Sequence, residues 1–153
     1  MGEPIGRYVL ERGFHLVGID SSPSLLALSR ARYPAAEWLL GDMRQLALGR
    51  RFDGILAWDS FFHLGMADQC LMFQRFARHA RGGAPLLFTS GPTAGERTGT
   101  FYGELLYHAS LDPAEYEYLL ALNGFSVTAY VAEDPDCGRH TVWLATCDVS
   151  VES

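Results

Sequence analysis

Apolar and polar positions along the chain change period several times, and the changes mark its elements. Pro4 suits a first helical turn and Gly13 a left-handed helix end, so residues 4–12 are predicted as a helix. The apolar run from Phe14 to Ile19 follows as a strand ending in Asp20. Ser22 as cap and Pro23 as opener then start a second helix, with Leu25, Leu26, Leu28 and Ala31 as its apolar stripe and Pro34 as its stop. "AEWLL" reads as a short strand ending at Gly41-Asp42, and "FDGILAW" as a third, ending at Asp59. Leu71, Met72, Phe76 and Ala80 recur at helical spacing in "MADQCLMFQRFARHA", which Gly82-Gly83 terminates, and "APLLFTSG" is a fourth strand.

This alternation of helix and strand implies an α/β fold with a mostly parallel sheet and helices on both faces. The tail differs. "TAGERTGTFYGELLYHAS" is expected to be loop with a helical turn or two, and Asp112-Pro113 to open a helix that ends at Asn123-Gly124. "FSVTAYVAE" and "HTVWLATC" read as β-branched strands joined by the turn "DPDCGR", an antiparallel hairpin that closes the sheet. No repeat or compositional break interrupts the chain, so a single domain over residues 1–153 is expected.

Composition narrows the chemistry. At 153 residues with 48% hydrophobic and 20% charged positions, the chain can bury about two thirds of its unfolded surface. All twelve basic residues are arginine, which removes Schiff-base, pyridoxal and P-loop lysines from this chain. A net charge of −6 with scattered arginines argues against nucleic acid as a partner. No apolar run reaches the ~20 residues of a membrane span, and no signal peptide is recognisable, so the expected location is cytoplasmic. Cys70, Cys137 and Cys147 are an odd number at unhelpful spacings and read as buried free thiols; the C-x₂-H of Cys137 and His140 lacks a second pair for zinc.

In an open parallel sheet, ligands bind beyond the carboxyl ends of the strands. Asp20, Asp42 and Asp59 each follow a strand. Asp20 lies 18 residues after Gly2, near the spacing at which an acid accepts from two ribose hydroxyls. Asp42-Met43 has the makings of an adenine clamp, with a carboxylate to accept from an amino group and a backbone N–H to donate to a ring nitrogen.

Through "GEPIGRYVLERGFHLVGIDSS", "GDMRQL", "FDGILAWDSFFHL" and the terminal "GF…TVWLA" hairpin, the chain resembles class I S-adenosylmethionine-dependent methyltransferases over nearly its whole length. The resemblance implies a Rossmann-like methyltransferase sheet of strand order 3-2-1-4-5-7-6, with S-adenosyl-L-methionine as cofactor. It implies Gly2 at the last glycine of the cofactor loop and Asp20, with Ser21 beside it, at the ribose. Asp42 and Met43 fall at the adenine, and Trp58, Asp59 and Ser60 at the methionine end and the transfer site. The first central strand and most of the glycine-rich loop of that family are missing from the sequence. Met1 is therefore expected to be an internal methionine, cofactor binding to be impaired, and the strands ending at Ile19 and Trp58 to present unpaired edges, with a homodimer through those edges as an expected partner state.

Methyl transfer to a hydroxyl or amine needs alignment and a place for a proton. His63, four residues after Asp59, is the candidate base, with Asp59 as its orienting group if the segment turns helically. Phe62, Tyr102, Tyr107 and His108, with Phe101, are candidate walls for a small flat acceptor. A nicotinamide-dependent oxidoreductase fragment shares the ribose acid, and a non-catalytic interaction module fits a chain that kept the fold without its loop. Both stand beside methyl transfer to a small molecule as alternatives.

Overall fold

The computed structural model describes residues 5–148, which fall into two compact units divided between Ala47 and Leu48. In the first, helix α1 (Ile5–Glu11) precedes strand β1 (Val17–Asp20), helix α2 (Pro23–Arg32) and strand β2 (Glu37–Leu40). β1 and β2 are parallel, in register from Val17 opposite Glu37 to Asp20 opposite Leu40. This βαβ crossover is the unit that the alternation predicted. α2 starts where expected: Ser22 accepts the Leu25 N–H and Pro23 occupies the first turn, while Arg30 and Arg32 complement the dipole at its end. Gly18 in β1 is required by packing, because a Cβ there would fall 2.1 Å from the Trp38 ring. The indole N–H of Trp38 is tied to the Tyr33 carbonyl at 3.0 Å.

The second unit holds a four-stranded sheet of order β3-β4-β8-β7, formed by β3 (Ile55–Ala57), β4 (Pro85–Ser90), β7 (Phe125–Asp134) and β8 (His140–Cys147). β3 and β4 run parallel, and β8 inserts antiparallel between β4 and β7, as the terminal hairpin predicted. Helices α3 (Met66–His79) and α4 (Pro113–Leu122) complete the unit. Asp112 caps α4 by accepting the Ala114 N–H, and Pro113 fills its first turn. Among the described residues, β1 and β3 each pair on one side only.

One element departs from expectation. Residues 93–110 are not loop with helical turns but an antiparallel hairpin, β5 (Gly95–Phe101) and β6 (Glu104–Ser110). The two-residue connection Tyr102-Gly103 has φ of 51° and 83°, the paired positive values that let a tight turn match strand twist. Cross-strand pairing supplies the backbone hydrogen bonds that a helix would have supplied.

The core of the second unit is aromatic. Phe61, Phe73, Phe88, Tyr116 and Trp143 are fully buried, with Phe88 and Trp143 stacked at 5.7 Å and the others meeting mostly edge to face, the arrangement the ring quadrupole favours. Gln69 of α3, also fully buried, donates to the carbonyls of Leu64 and Ala109 and accepts from the Tyr116 hydroxyl at 2.6 Å. That amide joins α3, β6 and α4 with its polar atoms satisfied. No helix among the described residues is long and apolar enough to cross a membrane.

Candidate active site

In the first unit, Asp20 ends β1 and Asp42 lies just beyond β2, at the same end of two adjacent parallel strands. The Gly41 N–H donates to the Asp20 carbonyl at 3.0 Å, holding the two strand ends together. Asp20 Oδ1 accepts the Ser22 N–H at 2.8 Å, a turn that leads directly into α2. Ser21 between them is exposed and Met43 half-buried. Asp42 caps a 3₁₀ turn, Met43–Gln45, and both its oxygens are engaged by Arg44, which also donates its backbone N–H. The N–H of Met43 opens that turn, so it has no acceptor within it. Gly2 lies outside the described residues.

In the second unit, Trp58, Asp59 and Ser60 leave the end of β3, and Phe61–His63 form a 3₁₀ turn. Asp59 adopts φ 48°, a left-handed conformation uncommon outside glycine and found at strained functional loops. Its N–H is held by Thr89 Oγ1 of β4 at 3.0 Å. The carboxylate meets His140 at the start of β8: Oδ1 is 3.2 Å from His140 Nε2, within ion-pair reach when the imidazole is protonated. No hydrogen bond is aligned there, so Oδ1 is buried without a donor although the side chain as a whole is 41% exposed. The His140 ring stands edge-on to Trp58 at 5.7 Å.

His63 is oriented differently from the sequence expectation. Its Nδ1 lies 3.0 Å from the backbone oxygen of Tyr107 on β6, so a carbonyl and not the Asp59 carboxylate positions the ring. His108 packs against it at 4.8 Å and against Phe62 at 5.0 Å. Burial, and then the charge of His63, hold His108 below the ordinary histidine range. The phenol of Tyr107 is pushed up by desolvation and by the Glu96 carboxylate. Phe62, His63, Tyr107 and His108 are thus brought together. Tyr102 is not one of them: it sits on the hairpin turn, 94% exposed, six residues from His108 along the chain, about 20 Å at the rise of a strand.

Thr89 was not singled out by the sequence, and His140 was weighed there only with Cys137 as a zinc ligand. The signal for His140 was present: the last strand of a closing hairpin runs antiparallel, so its first residue arrives beside the carboxyl ends of the parallel strands. Cys70, Cys137 and Cys147 are all free; Cys147 alone is fully buried.

Comparison with known proteins supplies the family. Residues 4–83 match the methyltransferase domain. A dTDP-3-amino-3,6-dideoxy-alpha-D-glucopyranose N,N-dimethyltransferase of Streptomyces fradiae is 41% identical over 64 residues, 40% of this chain and 25% of that protein. Among solved structures, the glycopeptide N-methyltransferase MtfA with S-adenosyl-L-homocysteine superposes with a TM-score of 0.76 at 18% identity, covering 96% of this chain and 79% of that one. The 1,6-didemethyltoxoflavin-N1-methyltransferase of Burkholderia thailandensis reaches 0.71 at 18% identity, over 94% of this chain and 65% of the other. The fold is the Rossmann-like α/β fold of these enzymes, and the chain belongs to the methyltransferase domain family.

Proposed function

We propose that the chain carries out, or is a portion of an enzyme that carries out, S-adenosyl-L-methionine-dependent methyl transfer to a small-molecule acceptor, within one methyltransferase-type domain spanning residues 1–153. The observation that carries this reading is the placement of Asp20 and Asp42 at the same end of the paired strands β1 and β2. When bound, the cofactor supplies a methyl group on a positively charged sulfur. Asp20 gives one carboxylate oxygen to the Ser22 N–H and still has lone pairs for ribose hydroxyls, with Ser21 at its side. Asp42 and the Met43 N–H receive the adenine edge, Arg44 sharing or yielding the carboxylate. Gly2 belongs to the loop around the methionine portion, and Trp58, Asp59 and Ser60 line its far end.

His63 is the proton acceptor. Because a carbonyl oxygen can only accept, the Tyr107 contact fixes the proton on Nδ1 and leaves the Nε2 lone pair to take one from the acceptor. Phe62, Tyr107 and His108 form the wall beside it, and a flat acceptor edge can pack there. A small-molecule acceptor is supported by the relatives, whose names specify a nucleotide-linked aminosugar and a toxoflavin precursor. The same reading carries a cytoplasmic location, no nucleic-acid or membrane partner, and a homodimer through the one-sided edges of β1 and β3. Calorimetric titration with S-adenosyl-L-methionine tests it: Asp20→Ala should weaken binding about tenfold or more. Undiminished affinity would remove Asp20 from the cofactor site.

A further inference from the structure

The outer edge of β6 is met by side chains instead of a strand. Among the described residues β6 pairs with β5 alone, and the residues of an antiparallel strand turn their backbone polar groups alternately toward the partner and away from it. Three successive outward groups find side-chain partners. The Tyr107 carbonyl has His63 Nδ1 at 3.0 Å, the Ala109 carbonyl accepts from Gln69 Nε2 at 2.9 Å, and the Leu111 N–H, just past the strand, donates to the Tyr116 hydroxyl at 3.1 Å. Backbone groups shut away from water need such partners.

Gln69 is the centre of this row. It is fully buried, and both its amide hydrogens and its oxygen are engaged. One hydrogen goes to Ala109 on β6 and the other to the Leu64 carbonyl at 2.8 Å, while Oε1 accepts from the Tyr116 hydroxyl at 2.6 Å. Turned over, the amide would set its oxygen against two carbonyl oxygens, so its orientation is fixed. Leu64 directly follows His63. Ala109 stands two residues from Tyr107 on the same edge of β6, about 7 Å along the strand. One buried amide therefore clamps the chain beside His63 to the strand that supplies the acceptor for its ring.

We propose that Gln69 is a positioning residue for His63: through Leu64 and Ala109 it holds the turn Phe61–His63 against β6, and so keeps the imidazole proton on Nδ1 and the lone pair on Nε2. That this lone pair takes a proton in methyl transfer rests on the methyltransferase reading; the placement of the ring does not. Gln69 acts through two backbone carbonyls, and Tyr116 in turn steadies its oxygen.

The His63 tautomer is read by heteronuclear NMR of the imidazole nitrogens, assigned by their loss in His63→Asn. In the native protein the ring is expected as the Nδ1–H form. Gln69→Met keeps the length of the side chain and removes its hydrogen bonds, and should turn the ring into a mixture of both tautomers. Tyr116→Phe leaves both amide donors in place and frees Oε1; it should shift the ring in the same direction by less, and it decides the matter if Gln69→Met does not fold. Leu86→Ala, which empties a fully buried position of β4, destabilises the fold but should leave the tautomer native. A fully Nδ1–H ring in folded Gln69→Met, or in Tyr116→Phe where the first does not fold, or an equal shift in Leu86→Ala, would overturn the proposal. In initial rates Gln69→Met should lower kcat about tenfold or more with a smaller change in KM. If His63→Ala keeps the full rate while the tautomer follows Gln69, His63 is not the base and its placement by Gln69 stands.

Discussion

His63 Nδ1 lies 3.0 Å from the backbone oxygen of Tyr107, and that single contact sets the tautomer of the ring. On the proposed reading, the lone pair remaining on Nε2 is what lets His63 act as a base. Replacing His63 with Ala is expected to lower kcat about 10²–10⁴-fold, the usual contribution of a positioned proton acceptor. Cofactor affinity should change much less. Initial rates of methyl transfer alongside calorimetric affinities separate the two, and a full-rate His63→Ala enzyme would exclude the role.

His108 connects the same cluster to pH. Burial, with His63 adding to it, depresses its folded-state pKa below the ordinary value near 6.5. On acidification the unfolded chain therefore binds a proton before the folded one does. Stability from this residue is complete above about pH 6.5, falls as pH drops from there through the lowered folded value, and levels off below it. Urea midpoints across that window should decline more steeply for the native protein than for His108→Phe.

The Gln69 amide makes a sharper mark on stability. Gln69→Ala strips donors from the carbonyls of Leu64 and Ala109 and an acceptor from the Tyr116 hydroxyl, all in a buried setting. A loss of about 2–4 kcal/mol is expected from the orphaned groups and the vacated volume. Tyr116→Phe, which removes the hydroxyl and leaves its partners one contact short, should cost about 1–2 kcal/mol. Equilibrium denaturation of both variants and of the double mutant gives the coupling between them.

Gly18 makes the equivalent test in the first unit. Because an added Cβ would sit 2.1 Å from the Trp38 ring, Gly18→Ala should destabilise by about 1–3 kcal/mol or more. Shortening the opposing ring with Trp38→Leu should recover part of that loss. A neutral Gly18→Ala would mean that the ring moves aside freely, against its tie to the Tyr33 carbonyl.

Local signals in the sequence carried over well into the structure. Ser22-Pro23 and Asp112-Pro113 start helices α2 and α4 because a cap and a fixed φ act within a few residues. Asp20 and Asp42 fall at adjacent strand ends because a βαβ crossover leaves little choice of geometry. Long-range pairings were not legible. The β5–β6 hairpin has Gly99 and polar threonines where an alternating apolar strand would announce itself, and its pairing partner, not its own pattern, makes it a strand. Tyr102 shares the aromatic character of Tyr107, but the turn at Tyr102-Gly103 carries it away from the cluster. The contacts of His63 with Tyr107 and of Asp59 with His140 join segments far apart in the chain. Only the register of β6 and the direction of β8 bring those residues together.

The central claim is most directly tested by parallel calorimetric titrations of the chain with S-adenosyl-L-methionine and with NADH. Both cofactors present ribose hydroxyls to an acid such as Asp20, so a shared ribose contact cannot by itself produce selectivity. Binding of S-adenosyl-L-methionine, lost on Asp42→Ala, with no binding of NADH is the predicted result. NADH binding without S-adenosyl-L-methionine binding would contradict the account.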